Sequence, residues 1–335
     1  MQKRYEDVVL FCPEVKTGGP EALHQLAYQI NRHGGSAHLA YYAPVSHVEI
    51  EGNRLRCRAE NSPMPAQYAQ YHPHVLREIS PGPDTLLVFP ETLCHLAAVA
   101  AVPYQRALWW LSVDNAPAPI LQDAAYQQPF FGDPGLHHFY QSDYARAFLQ
   151  KAGATACHPL SDYTDQDFVH LSLIASANPP IRERPNRICF FPNKGAERAA
   201  SFIEAASQLR HNVEFVPIRG MSKPQVRDCL FSARLYIDFG NQPGKDRVPR
   251  EAAIAGAILL LHAAGAGAHY LDHPLPRTYL FGEADIVSGR LHALVNEILD
   301  APETHWEQQR FYRDAILREQ EKFDLETRTL FFTGF

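Results

Sequence analysis

The sequence predicts an α/β protein of two halves, each a mainly parallel sheet covered by helices. Three observations predict it. Short apolar runs alternate with stretches of helical periodicity along most of the chain, the pattern of parallel strands joined by helical crossovers. The alternation is interrupted by proline-rich sequence at Asn178-Pro179-Pro180 and Arg182–Pro185, and then restarts. At 335 residues the chain is long enough for two cores, given roughly 100–200 residues per domain.

In the first half, the apolar run Asp7–Cys12 reads as a buried strand. Lys16-Thr17-Gly18-Gly19-Pro20-Glu21 follows, and a helix starts near Pro20 or Glu21, since proline is tolerated in the first helical turn. Leu23, Leu26, Ala27 and Ile30 keep helical spacing, and Gly34-Gly35 ends the helix. Ser36–Tyr42 is the second strand. Val48–Ile50 and Leu55–Arg58 read as an edge hairpin around Gly52-Asn53. Thr85–Phe89, Arg106–Val113, His138–Gln141 and Ala156–Leu160 are further strands, with helices over Leu93–Val102 and Tyr144–Ala152. Prolines near 178 disfavour helix and stiffen the connection, which sets the domains at 1–178 and 179–335. In the second half, strands are expected over Arg187–Phe191, Val213–Ile218, Leu235–Phe239 and Ala257–His262. Helices are expected over Ala196–Leu209, Lys223–Ser232, from Arg250, and over His292–Asp300 and Thr304–Lys322.

Composition excludes several function classes. The net charge is −6 and the pI about 6.3, without the basic excess of a nucleic-acid binder. The six cysteines are scattered and form no CxxC pair, so reduced thiols are expected rather than a disulfide scaffold or zinc site. The first residues lack an apolar signal-peptide core. The longest apolar stretch, Ala252–Ala268, is broken by Gly256, His262, Gly265 and Gly267, too soon to span a bilayer. The expectation is a cytoplasmic protein, at most working at the inner face of a membrane.

Three stretches could carry chemistry. Gly18 and Gly19 follow the first strand, where glycine lets a backbone approach a ligand and a helix N-terminus favours an anion. Neither GxGxxG nor a P-loop is formed. Asn241–Glu251 places Lys245, Arg247 and Arg250 just past the strand Leu235–Phe239, the end at which open α/β sheets bind ligands. Cations there suit a diphosphate leaving group, on which charge builds as a glycosidic bond breaks. Glu251, in the helix beyond, suits ribose hydroxyls. Lys194, in Phe191-Pro192-Asn193-Lys194-Gly195, ends the first strand of the second half. Asp165-Gln166-Asp167 matches a metal-binding DxD pattern but precedes a helical stretch, where acids cap, and no metal site is expected.

These stretches resemble GT-B glycosyltransferases, especially those of bacterial surface-polysaccharide clusters. Gly18-Gly19-Pro20-Glu21 resembles the family's Gly-Gly-x-Glu loop. Trp109-Trp110-Leu111-Ser112-Val113-Asp114-Asn115 is similar to a segment of a subset of these enzymes. Asn193-Lys194-Gly195 resembles the turn that opens the donor domain. Glu251-Ala252-Ala253-Ile254-Ala255-Gly256 resembles the family's Glu-Ala-x-x-x-Gly. The resemblance implies two Rossmann-like domains facing each other across a cleft, with a C-terminal helix crossing back to the N-domain. It implies that the second half binds a nucleotide-sugar and the first an acceptor, glycan or lipid-linked. Gly18, Gly19, Lys194, Arg250 and Glu251 would then bind the donor, with Lys245, Asp246 and Arg247 at the reacting bond. No metal and no cofactor beyond the sugar nucleotide is implied. One position departs: the family's Glu-x7-Glu pair would place its first acid at Pro243, and Asp246 is the nearby carboxylate. Two other readings stay open, a nucleotide-sugar epimerase or phosphorylase on the same architecture, and a non-catalytic partner of polysaccharide enzymes. The aromatic tail Leu330–Phe335 has three candidate roles: packing on the first domain, joining a homo-oligomer, or touching a membrane.

Overall fold

A computed structural model describes residues 2–15, 17–42, 48–51, 54–57, 66–76, 78–98, 104–174 and 178–332. The chain divides into two compact units, Met1–Tyr163 with Gln320–Phe335, and Thr164–Glu319. The sequence set the boundary near 178, at the prolines. Packing sets it earlier: Phe168 is buried in the core of the second unit, and Asp165 pairs with Lys223 there.

The strands of the first unit are β1 (Asp7–Pro13), β2 (Ala37–Tyr42), β3 (Val48–Glu51), β4 (Arg54–Cys57), β5 (His74–Val75), β6 (Glu78–Ile79), β7 (Thr85–Pro90), β8 (Gln105–Trp110), β9 (Leu136–Tyr140) and β10 (Cys157–Pro159). Seven form one parallel sheet in the order β10-β9-β8-β7-β1-β2-β5. The expected edge hairpin is present as β3 and β4, antiparallel and extended by β6; its turn at Gly52-Asn53 lies outside the described residues. Helices α1 (Gly18–Arg32), α2 (Cys94–Ala97), α3 (Ala118–Gln122), α4 (Ala124–Phe131) and α5 (Asp143–Ala152) cover the sheet. On α1, Leu23, Leu26, Ala27 and Ile30 are all buried in one cluster with Val8, Leu10 and Leu39. Each buried Leu or Ile contributes about 1.5–3 kcal/mol. Neither α3 nor α4 was legible, because Pro117, Pro119 and Pro129 interrupt the segment.

The second unit has five parallel strands, β11 (Arg187–Phe190), β12 (Glu214–Pro217), β13 (Leu235–Asp238), β14 (Ile258–His262) and β15 (Leu280–Phe281), in the order β12-β11-β13-β14-β15. Its helices are α6 (Gln166–Ser172), α7 (Ala196–Glu204), α8 (Lys223–Ser232), α9 (Arg247–Ile254), α10 (Glu283–Val287), α11 (Arg290–Asp300), α12 (Pro302–Gln308) and α13 (Arg310–Leu317). The last helix, α14, spans Glu319–Phe331, and from Gln320 onward it belongs to the first unit. There Phe323, Leu330, Phe331 and Phe332 are buried beside Tyr5 and Leu26. Glu326 accepts hydrogen bonds from the Ser161 amide and hydroxyl at 2.7 and 2.6 Å. Of the three candidate roles of the tail, Leu330–Phe332 take the first; residues 333–335 lie outside the described residues.

Thr304–Lys322 is not one helix but the run α12, α13, α14, with breaks at Gln309 and Arg318. Gln309 is buried, and its amide bonds both the N–H and the carbonyl of Leu259 in β14, at 2.9 and 3.0 Å. A buried amide must be satisfied, and these bonds to the sheet fix the break. Among the described residues, no helix is long and apolar enough to cross a membrane.

Candidate functional site at the switch point of the second sheet

In the order β12-β11-β13-β14-β15, successive connections change direction between β11 and β13. Ligands of doubly wound sheets bind outside the carboxyl ends of the strands at such a point. Two of the sequence-predicted stretches emerge there. From β11 the chain reaches Lys194 and Gly195, the residue that precedes α7. From β13 it runs through Asp238 to the basic loop and α9.

Gly195 has φ +71°, and a Cβ there would lie 2.0 Å from the Phe239 carbonyl oxygen. The Lys194 turn is thus pressed against the end of β13. Gly265, φ +59°, is pressed in the same way against the Gln242 carbonyl, 2.0 Å from where its Cβ would stand. Gln242 is fully buried and held by backbone bonds to Ala264 and Ala266 at 3.4 and 2.9 Å. The base of the basic loop is therefore clamped from two sides by close backbone contact, which only glycine permits.

The charges above it are ordered in pairs. Lys194 Nζ lies 2.6 Å from the carboxylate of Asp246. Lys245 Nζ donates to Glu319 at 2.8 Å, and Arg250 Nη1 to the other oxygen of the same carboxylate at 2.9 Å. Glu319, 5% exposed, also accepts from the Thr164 amide and hydroxyl, each at 2.9 Å. Arg250 is fully buried and also donates to the carbonyls of Asp246 and Lys245 at 3.2 and 3.1 Å. Arg250 thus folds the loop over itself. Arg247 and Glu251 are half-buried, in the first and second turns of α9. Asp238 is buried at the strand end and accepts from Gly240 N at 2.8 Å and from Gln242 Nε2 at 3.3 Å. Burial, then the charge of Asp246, pushes its carboxyl up to about 7. Burial also raises Asp246, against the pull of Lys194.

In the first unit the order β5-β2-β1-β7-β8-β9-β10 changes direction between β1 and β7. Gly18 and Gly19 stand after β1, as the first two residues of α1 rather than in a loop before it; Lys16 lies outside the described residues. Tyr68 donates to the Thr17 carbonyl at 3.1 Å and stacks on the buried His24, ring centroids 4.2 Å apart. Glu91 follows β7, 4% exposed, and accepts from Leu111 N at 3.2 Å; burial pushes it up to about 7. Trp109 and Trp110 are core residues, with indole N–H groups on Leu160 O and His138 Nδ1 at 2.9 and 3.2 Å.

No protein-family profile matches the chain, and no curated protein matches it in sequence. Solved structures do match along almost its whole length. Anabaena HepE in complex with UDP covers 96% of this chain over 98% of its own, at TM-score 0.63 and 11% identity. WaaG, a glycosyltransferase involved in lipopolysaccharide biosynthesis, covers 95% over 98% of its own, at TM-score 0.57 and 16% identity. Sucrose-phosphate synthase from Thermosynechococcus elongatus covers 97% over 98%, at TM-score 0.57 and 16% identity. The chain has the GT-B fold.

Within this GT-B chain, the second unit brings Lys194, Lys245, Asp246, Arg247, Arg250 and Glu251 to one sheet end. Gly18 and Gly19 belong to the first unit. Sequence reasoning missed Glu319, whose partners Lys245 and Arg250 lie 74 and 69 positions away. It also missed Arg198 on α7, which donates to Phe239 O at 3.0 Å. Asp165 caps α6, accepting from Asp167 N at 2.8 Å, as the capping reading expects. Among the described residues no three His, Cys, Asp or Glu side chains are grouped as metal ligands.

Proposed function

We propose that this chain is a glycosyltransferase that binds a nucleoside-diphosphate sugar at the switch point of the second unit and passes the sugar to a glycan or lipid-linked acceptor of surface-polysaccharide synthesis. The observation that carries the reading is the cation-bearing loop clamped at the β11–β13 switch point. The GT-B neighbours support it: HepE was crystallised with UDP and with UDP-glucose, and WaaG is named for lipopolysaccharide biosynthesis.

In this reading Asp246 and Glu319 hold Lys194 and Lys245 in place, and the lysines trade carboxylate for phosphate oxygens when the donor arrives. Their charge then meets the negative charge that grows on the departing diphosphate, the step at which preorganised cations accelerate most. Arg247, at the N-terminus of α9, adds to the same field, and Glu251 takes the ribose hydroxyls. Arg250 acts by shaping the loop. No divalent metal is required, because the lysines supply the countercharge. Pro243, where the resemblance has an acid, favours a second reading, a protein that binds the nucleotide without transferring sugar.

Thermal shift with UDP, GDP and their glucose conjugates, with and without Mg²⁺, tests this. A ligand at a hundred times its Kd adds about 2.7 kcal/mol. Expected is a rise with one nucleoside diphosphate, unchanged by Mg²⁺ and reduced in Lys194→Ala and Lys245→Ala. No rise with any nucleotide refutes the donor site. A rise without release of nucleotide in the presence of candidate acceptors supports the second reading.

A further inference from the structure

The second unit carries a feature that the nucleotide site does not use. Cys189, on β11, is fully buried, and Cys229, on α8, is half-buried. Their sulfurs are 3.1 Å apart, although the residues are 40 positions apart in sequence. The Cys189 thiol also lies 3.8 Å from the Cys229 carbonyl, while the thiols of Cys12 and Cys157 point at the carbonyls of Pro13 and Ala154. We propose that Cys189 and Cys229 are a reversible disulfide site that a hydroperoxide closes.

The surroundings suit this chemistry. A thiolate is the attacking species, and nearby cations favour it. Arg187 stands beside the pair: its guanidinium donates to Ser232 Oγ at 2.5 Å, and that hydroxyl donates to the Cys229 carbonyl at 2.8 Å. The bond from the Cys189 thiol pulls the Cys229 thiol down, against burial; the Arg187 charge adds to that pull and its partner Glu214, 2.9 Å away, opposes it. The same bond, then burial, pushes Cys189 up. Cys229 is also the more exposed of the two, so it meets the oxidant first.

The Cys229 thiolate attacks one peroxide oxygen. An S–O bond forms and the O–O bond breaks, and the other oxygen leaves as an alcohol, or as water from hydrogen peroxide, after taking a proton. Cys229 is now a sulfenic acid. The Cys189 sulfur then attacks the Cys229 sulfur. The S–S bond forms and the S–O bond breaks, and hydroxide leaves as water with the Cys189 proton. Two thiols have lost two electrons, and the peroxide has gained them. Exchange with a small dithiol reverses the step. The new bond fastens α8 to β11, the strand that runs on to Lys194, and it does not depend on any nucleotide reading of the site.

The full-length protein is treated with hydrogen peroxide, remaining thiols are blocked with N-ethylmaleimide, and the protein is digested without reductant. Expected is one dominant cross-link joining the peptides of Cys189 and Cys229, released by dithiothreitol. The oxidised protein should also melt at a higher temperature, and dithiothreitol should remove the gain. Cys229→Ser should lose both the cross-link and the thermal gain. Recovery of Cys189 and Cys229 as maleimide adducts overturns the proposal, as does Cys229 sulfinic acid with no link to Cys189. The mapping on the unmodified sequence decides the matter even if the variant folds poorly.

Discussion

Removing the carboxylate of Glu319 should cost more than any single change on the basic loop. In Glu319→Ala, the fully buried Arg250 and the half-buried Lys245 both lose this carboxylate, and two Thr164 donors lose their acceptor. Breaking a buried ion pair by deleting one partner costs about 3–5 kcal/mol. In a unit of this size each kcal/mol lowers Tm by about 2–4 °C, so a drop of roughly 6–20 °C is expected. Glu319→Gln keeps the shape and one acceptor but turns an amide N–H₂ toward a cation, and should fall between wild type and alanine. Urea unfolding followed by circular dichroism gives the free energies. In a cycle with Lys245→Met, the alanine change should cost at least 1 kcal/mol less, since one of the two cations that Glu319 holds is already gone. A loss under about 1 kcal/mol for Glu319→Ala, the value of a solvent-exposed pair, would refute the picture of a buried clamp.

Gly195→Ala should lose about 2 kcal/mol or more: a left-handed residue with a Cβ costs about 1–2 kcal/mol, and that Cβ must also displace the Phe239 carbonyl. It should weaken nucleotide binding as well, read by calorimetry, and an alanine variant that binds and melts like wild type would contradict the close approach. Acid should destabilise the first unit. Burial holds His24 down to about 4 and His138 to about 3, and His137 to about 4, while unfolded imidazoles titrate near 6.5. Between those values the unfolded state binds more protons, so stability is lost as pH falls from 6.5 toward 4. Burial and the Arg4 charge hold His158 down as well, and Glu91, raised to about 7, works in the opposite sense, one group against four. In a Trp306→Phe background the remaining tryptophans, Trp109 and Trp110, report the first unit alone, and an unchanged urea midpoint between pH 7 and pH 5 would count against this balance.

Much of the architecture was legible because apolar runs and punctuation agree. Lys223–Ser232 was read with the bounds it has, since Ser222 caps it, a proline stands in its first turn and Leu230-Phe231 face the core. The basic loop was legible as a cluster of charge at a strand end. Its wiring was not. Glu319 lies inside a stretch whose periodicity reads as one long helix, whereas the chain breaks at Gln309, which reaches Leu259, and again at Arg318, just before Glu319. Arg250, by charge alone, reads as a ligand-facing cation, and only packing reveals that it is buried. Local patterns report propensity and face. Which distant carboxylate answers which cation is decided by the tertiary fold. The boundary near Asn178 was misplaced for the same reason: proline marks a stiff segment, and the core around Phe168 decides which unit owns it.

The first unit is made from two stretches of chain, with the second unit inserted between them. This order has a consequence for a chain that emerges from the ribosome N-terminus first. All seven strands of the large sheet are exported before Thr164, yet Phe323, Leu330, Phe331 and Phe332 close its core only after the whole inserted unit has been made. The inserted unit contains every residue of its own sheet and of the Glu319 clamp, so it can reach its final fold while its host still waits with an apolar face uncovered. The nascent first unit is therefore the part that needs shielding during synthesis, and its exposure lasts as long as translation of the entire insertion.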